Sequence, residues 1–147
     1  MGDKKSLSVS GRYDQIRRVC AFVGEGARQA GFDDDTVFHV ELACDEACTN
    51  IIEHTYEGEG IGDIQVSWQL SGDTFTVTIR DNGPRFDPSV IPNPPEPPDL
   101  DEVDDLRVGG LGVFFMRRLM DDVRFAYLKG KGNVLTMVKH RAQNEAS

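Results

Sequence analysis

Residues 64–79 read IQVSWQLSGDTFTVTI, and their alternation decides what kind of sheet this chain builds. Apolar and polar residues alternate strictly from Ile64 to Leu70 and from Phe75 to Ile79, the period of a strand buried on one face. Ser71-Gly72-Asp73 lies between the two runs and supplies turn chemistry, so the stretch reads as a β-hairpin. Working outward, a second pair of strand patterns spans Val123 to Leu128 and Asn133 to His140, joined by Lys129-Gly130-Lys131-Gly132. Leu7 to Ser10 also alternates and suits a short edge strand. Strands that come as antiparallel pairs, without strand–helix–strand crossovers, predict an α+β fold. The expectation is a two-layer sandwich of a mostly antiparallel sheet with helices on one face.

Three helices fill the remaining pattern. Ser10 fits an N-cap for a first helix over Tyr13 to Ala30, in which Ile16, Val19, Cys20, Val23 and Ala27 recur at helical spacing and Gly31 closes the end. Asp33 to Asp35 form an acidic first turn for a second helix running to about Tyr56. Its apolar face is Val37, Val40, Cys44, Ala47, Cys48 and Ile51. A third helix is expected from Val113 to Met120, with Phe114, Phe115 and Met116 in the core. All seven prolines fall between Pro84 and Pro98, and an acidic run from Asp99 to Asp105 follows. That composition forbids a regular element, so residues 84–108 read as a loop of about 25 residues, a length typical of a functional lid or a disordered segment.

Bulk properties narrow the function classes. A chain of 147 residues is long enough for one domain with a core of its own, expected here to span 1–147. The net charge of −9, from 25 acidic and 16 basic residues, argues against sequence-independent nucleic-acid binding and leaves a basic protein partner open. No apolar run approaches the roughly 18 residues that a membrane span needs, and MGDKKSLS carries no apolar signal region, so the expected location is the cytoplasm. Cys20, Cys44 and Cys48 lie in helical patterns without a second pair at zinc spacing, and read as buried free thiols.

Three segments carry candidate chemistry. Glu46, Asn50 and His54 stack at a spacing of four along the second helix. An Asn oxygen suits a magnesium ion already carrying phosphate charge, and a carboxylate one turn away can deprotonate a hydroxyl beside that phosphate. A solvated polar stripe would read the same. Asp81-Asn82-Gly83 ends a strand, where the carboxylate can accept from an exocyclic amine and the glycine permits close approach of a ring. It is equally a common turn sequence. Gly109-Gly110-Leu111-Gly112 opens a helix and frees backbone amides for phosphate, although it matches neither a P-loop nor a dinucleotide fingerprint.

Taken together and in this order, the three segments resemble the sequence boxes of the GHKL ATPase superfamily. Those boxes are E-x-x-x-N on a helix, D-x-G after a strand, and G-x-G beyond a lid. EACTNIIEHTYEG, DNGPRFDP and GGLGVFFMRRLMDDV are similar to the forms found in the small bacterial anti-sigma serine kinases, over about residues 8 to 140. The resemblance implies a histidine-kinase-like ATPase fold that binds ATP and Mg2+. It implies that Asn50 coordinates magnesium, that Glu46 is the catalytic base, and that Asp81 binds the adenine amine with Gly83 beneath the ring. It also implies that Gly110, Leu111, Gly112 and Val113 present amides to the phosphates. The implied activity is a serine/threonine protein kinase that phosphorylates a small antagonist, a STAS-type anti-anti-sigma factor, and sequesters a sigma factor, as a homodimer. The alternative is a nucleotide-gated partner-switching module without significant kinase activity.

Two positions depart from the family pattern. Arg85, after Pro84, replaces the second glycine of D-x-G-x-G, and Asn133 stands where many relatives carry a threonine near the adenine. No contact is assigned to Asn133. His54 reads as a helix-end histidine.

Overall fold

The computed structural model describes residues 4–88 and 112–141. The elements are β1 (Lys4–Ser10), α1 (Tyr13–Gln29), α2 (Asp34–Asn50), a π-helical turn (Ile51–Thr55), β2 (Asp63–Ser71), β3 (Thr74–Asp81), α3 (Gly112–Leu119), β4 (Asp122–Leu128) and β5 (Gly132–His140). The expected lid from residue 89 onward, Gly110 and Leu111 lie outside the described residues.

The five strands form one sheet in the order β1-β2-β3-β5-β4, and every neighbouring pair is antiparallel. The hairpin is tighter than its sequence implied, because Ser71 pairs with Thr74 and only Gly72 and Asp73 form the loop. Alternation then sorts the sheet into two faces. Ile64, Val66 and Trp68 of β2, Phe75, Val77 and Ile79 of β3, and Leu135 and Met137 of β5 are buried. They sit opposite one another in the ladder, as Val66 with Ile79 and Val77 with Met137 do. Gln65, Ser67, Gln69, Thr76 and Thr78 point to the other face and are at least partly exposed. The α+β sandwich expected from paired strands is the fold of this chain.

On the buried face α2 packs between α1 and α3, and α1 covers β1 and β2. Nine of the seventeen residues of α2 are buried, among them Val37, Val40, Cys44 and Cys48. A helix flanked on both sides as well as from below must bury most of its circumference, polar positions included. Asp33 starts it by accepting the Thr36 amide at 2.8 Å, and the acidic first turn is present as Asp34 and Asp35.

Two helix ends differ from expectation. Ser10 does not cap α1; it is the last residue of β1, paired with Asp63. Arg12 takes the N-cap position with no side-chain bond, and the Tyr13 amide donates instead to Glu59 Oε1 at 2.8 Å. The carboxylate comes from the segment before β2, which local spacing cannot reveal. The second helix does not run regularly to Tyr56: after Asn50 it widens into the π turn, and the Tyr56 amide donates to the Ile51 carbonyl at 2.8 Å. One residue too many per turn rotates the side chains beyond it, and such bulges gather at functional sites.

Among the described residues no helix is long and apolar enough to cross a membrane. All three cysteines are free; Cys44 and Cys48 are buried and Cys20 is half-buried. Burial pushes both buried thiols above the ordinary thiol range, with neighbouring cysteines and acidic groups adding to the rise. A thiol whose pKa is raised in the folded state contributes nothing adverse below about pH 9, where unfolded thiols are also protonated; above it, unfolding is favoured by thiolate formation. The urea midpoint is therefore expected to hold steady from pH 7 to 8 and fall from about pH 9 upward. The fall should be shallower in Cys44→Ala and Cys48→Ala. A midpoint independent of pH up to 10 contradicts this placement of the thiols.

Candidate nucleotide site

The end of α2, the end of β3, the start of β5 and the middle of α3 converge on a pocket. Its walls are mainly apolar, from Ala47, Ile51, Ile79, Met116, Phe125 and Leu135, with four polar side chains among them: Asn50, Thr55, Asp81 and Asn133. An apolar slot with a few convergent polar groups suits a flat ligand with a small number of hydrogen-bonding atoms.

Asp81 closes the inward row of β3 and is 5% exposed. Its Oδ1 accepts the Gly83 amide at 2.9 Å and the Asn133 side-chain amide, also at 2.9 Å. Both bonds fall on the same oxygen, and neither engages Oδ2. Beside it the π turn delivers Thr55 and Tyr56. The Tyr56 hydroxyl donates to the Asp63 carbonyl at 2.6 Å and accepts the Asn82 amide at 3.0 Å. Burial raises the phenol's pKa against the lowering effect of the Asn82 bond, and the charges of Asp81 and Asp63 raise it further. The hydroxyl is therefore a stable donor at neutral pH.

Gly83 also meets a requirement within the chain itself. A Cβ there would strike Thr55 Cγ2 and come within 3.1 Å of the Tyr56 ring. The close approach it permits is thus to the π turn of this chain. Gly132 is the glycine that local reading missed: it adopts φ +113° and a Cβ would collide with the Asp81 carbonyl. Gly132 thus brings β5 backbone against the strand end that carries Asp81, and Gly83 brings the chain just beyond that end against Thr55 and Tyr56.

Asn50 and Glu46 lie one turn apart on α2, with relative exposures of 7% and 8%. Asn50 reaches the pocket, whereas Glu46 is not among its lining residues. Among the described residues the Asn50 Nδ2 atom is buried without a hydrogen-bond partner. Such an orphan costs about 1–3 kcal/mol. The two ends of a carboxamide exchange by a flip, so the same position can present an oxygen. Among the described residues no group of three or more His, Cys, Asp or Glu could hold a metal. A cation beside Asn50 would accordingly take most of its ligands from phosphate, and the neutral oxygen of Asn50 fits that role.

The remaining expected positions are distributed more widely. Val113 is buried in the first turn of α3, and Gly112 begins that helix. Met116, one turn on, is fully buried and lines the pocket. His54 lies exposed in the π turn, and Arg85 is exposed at the mouth of a neighbouring groove with Phe86 and Phe125. Phe86, Phe125 and Thr55 line the pocket without having been singled out by sequence. The two phenylalanine rings lie 5.5 Å apart, and the Arg117 guanidinium sits 5.9 Å from the Phe125 centroid.

The Gly83–Thr55 contact yields a direct test. Gly83→Ala should destabilise the fold by about 1–3 kcal/mol, the usual cost of overpacking. In a Thr55→Ser background, which removes Cγ2, the cost should shrink by more than about 0.5 kcal/mol in urea titrations. Equal costs in the two backgrounds would show that the π turn does not set the requirement for glycine.

Comparison with known proteins bears on this geometry. The sequence profile of the histidine kinase-like ATPase domain matches residues 9–139. The chain is 32% identical over 146 residues to the serine-protein kinase RsbW of Listeria monocytogenes serovar 1/2a (strain ATCC BAA-679 / EGD-e), covering 99% of this chain and 93% of that one. It is 31% identical, at the same coverage, to the protein of the same name from Listeria innocua serovar 6a. Identity to its namesake from Bacillus cereus (strain G9842) is 28% over 144 residues, covering 97% and 89%.

Proposed function

The chain belongs to the histidine kinase-like ATPase domain family, and from that premise we propose that it is an ATP-dependent serine/threonine protein kinase. The observation that carries this reading is the pocket joining Asp81, an acceptor with one oxygen left over, to Asn50, a buried carboxamide with an unmet polar atom. Near-full-length similarity to proteins named serine-protein kinases supplies the reaction class.

In this reading Asp81 accepts the adenine amine through Oδ2 while Ile79, Met116 and Phe125 exclude water from the base. Asn50 would hold Mg2+ through its side-chain oxygen, and the chemistry such an ion would supply is neutralisation of phosphate charge. The amides of Gly110, Leu111, Gly112 and Val113 contribute donors to the same phosphates, and residues 84–108 serve as the lid. Glu46, one turn before Asn50, takes the proton from a serine hydroxyl of the protein substrate. The serine oxygen bonds to the γ-phosphorus as the bond to the β–γ bridging oxygen breaks, and ADP leaves. Phosphoryl transfer asks for little beyond this positioning and charge compensation.

The substrate is a small antagonist protein of the STAS type, and the second partner is a sigma factor that the same chain sequesters in the cytoplasm as a homodimer. The likeness of residues 46–58, 81–88 and 109–123 to the anti-sigma serine kinases supports these assignments. Transfer from labelled ATP to a candidate antagonist, followed by phosphosite mapping, tests them. Glu46→Gln should lower transfer by about 10²–10⁴-fold, the range for loss of a general base, with ATP affinity retained. Asn50→Ala should abolish the magnesium dependence of ATP binding, and Asp81→Asn should weaken ATP binding with or without the metal. Equal transfer by Glu46→Gln and the unsubstituted chain would remove Glu46 from the chemistry. ATP binding without any transfer would leave a nucleotide-gated binding module.

A further inference from the structure

Asn133, the first residue after the constrained Gly132 on β5, makes three hydrogen bonds with one side chain. Its Nδ2 donates to Asp81 Oδ1 at 2.9 Å and to the Pro84 carbonyl at 2.8 Å, while its Oδ1 accepts the Phe86 amide at 2.8 Å. The orientation of this carboxamide is determined by its partners. Flipped, its oxygen would face a carboxylate and a carbonyl, and its NH2 would face an N–H, so all three contacts would become repulsive. The group therefore ties three parts of the pocket together: the acceptor Asp81, the backbone leaving β3 at Pro84, and the aromatic wall formed where Phe86 meets Phe125.

We propose that Asn133 is a positioning residue for base recognition, holding Asp81 Oδ1 and the Pro84–Phe86 backbone as one unit, so that Oδ2 faces the ligand and Phe86 stands against the base. The inference rests on the nucleotide reading above and deepens it, assigning the selectivity for an amino-purine to a residue that itself sits behind the carboxylate. Neither a threonine nor an aspartate reproduces the arrangement. A threonine hydroxyl donates one hydrogen, enough for Asp81, and lacks the second donor for Pro84. An aspartate accepts the Phe86 amide and opposes Asp81 with a second carboxylate.

The test uses the full chain with Asn133→Ala and Asn133→Thr, urea midpoints being taken first to establish that each is folded. Without nucleotide, hydrogen exchange at the Phe86 amide should quicken in both variants, because neither retains the accepting oxygen in place. Calorimetry with Mg–ATP and with Mg–inosine triphosphate, which carries a keto oxygen in place of the amine, then reads selectivity. The unsubstituted chain should prefer ATP. Asn133→Ala should lose about tenfold in ATP affinity with little change for the inosine nucleotide, so the ratio falls. Asn133→Thr should recover part of the ratio but none of the Phe86 protection. Unchanged Phe86 exchange together with an unchanged ratio overturns the inference, and so does a uniform loss for both nucleotides. Failure of the unsubstituted chain to bind ATP would instead overturn the nucleotide reading, while the exchange rates would still decide whether Asn133 clamps residues 84–86.

Discussion

Burial of α2 between two helices and a sheet is the constraint on which the rest of this structure depends. A helix so placed has little surface to spare for solvent, and yet it carries Glu46 and Asn50 at 8% and 7% exposure. Polar groups at that depth need partners. Asn50 keeps an unmet atom among the described residues and lines a pocket in which Asp81 and Asn133 are hydrogen-bonded. Stability is given up at the point where a ligand would restore it, which is how binding sites commonly depart from the local optimum.

The π turn after Asn50 converts this constraint into a site. By widening the helix it carries Thr55 and Tyr56 against Gly83, and the Tyr56 hydroxyl then joins the strand entrance at Asp63 to the strand exit at Asn82. The ends of β2 and β3 that flank the pocket are thereby fastened to the helix that forms its other wall. A regular α-helical turn would place these side chains elsewhere, and the Asn82 amide beside Asp81 would lose its acceptor. Asn133 completes the scheme from the far side, so the carboxylate is held by Gly83 in sequence and by β5 in space.

Acidic composition is compatible with the proposed phosphate site because the described pocket presents few charges. In that proposal the phosphates would meet a carboxamide, backbone amides at the start of α3, and a metal brought in with the nucleotide. Helix N-termini and free amides attract anions without any net positive charge on the chain.

Periodicity alone determined the paired strands, the three helices and hence the α+β class, because alternation and helical spacing are local properties that survive in one dimension. The order of the three polar segments was equally legible, since Glu46-x-x-x-Asn50, Asp81-x-Gly83 and the glycines before α3 are short and contiguous. What tertiary structure decided lies between distant segments. Glu59 caps α1 in place of Ser10, Thr55 packs where a Cβ on residue 83 would lie, and Asn133 bonds to Asp81 from 52 residues away. The π turn belongs with these, because an i→i+5 bond leaves no periodic trace in five residues and is stabilised by the groups it packs against. Local chemistry named the residues of the pocket's rim; only the folded chain could show which of them hold one another in place.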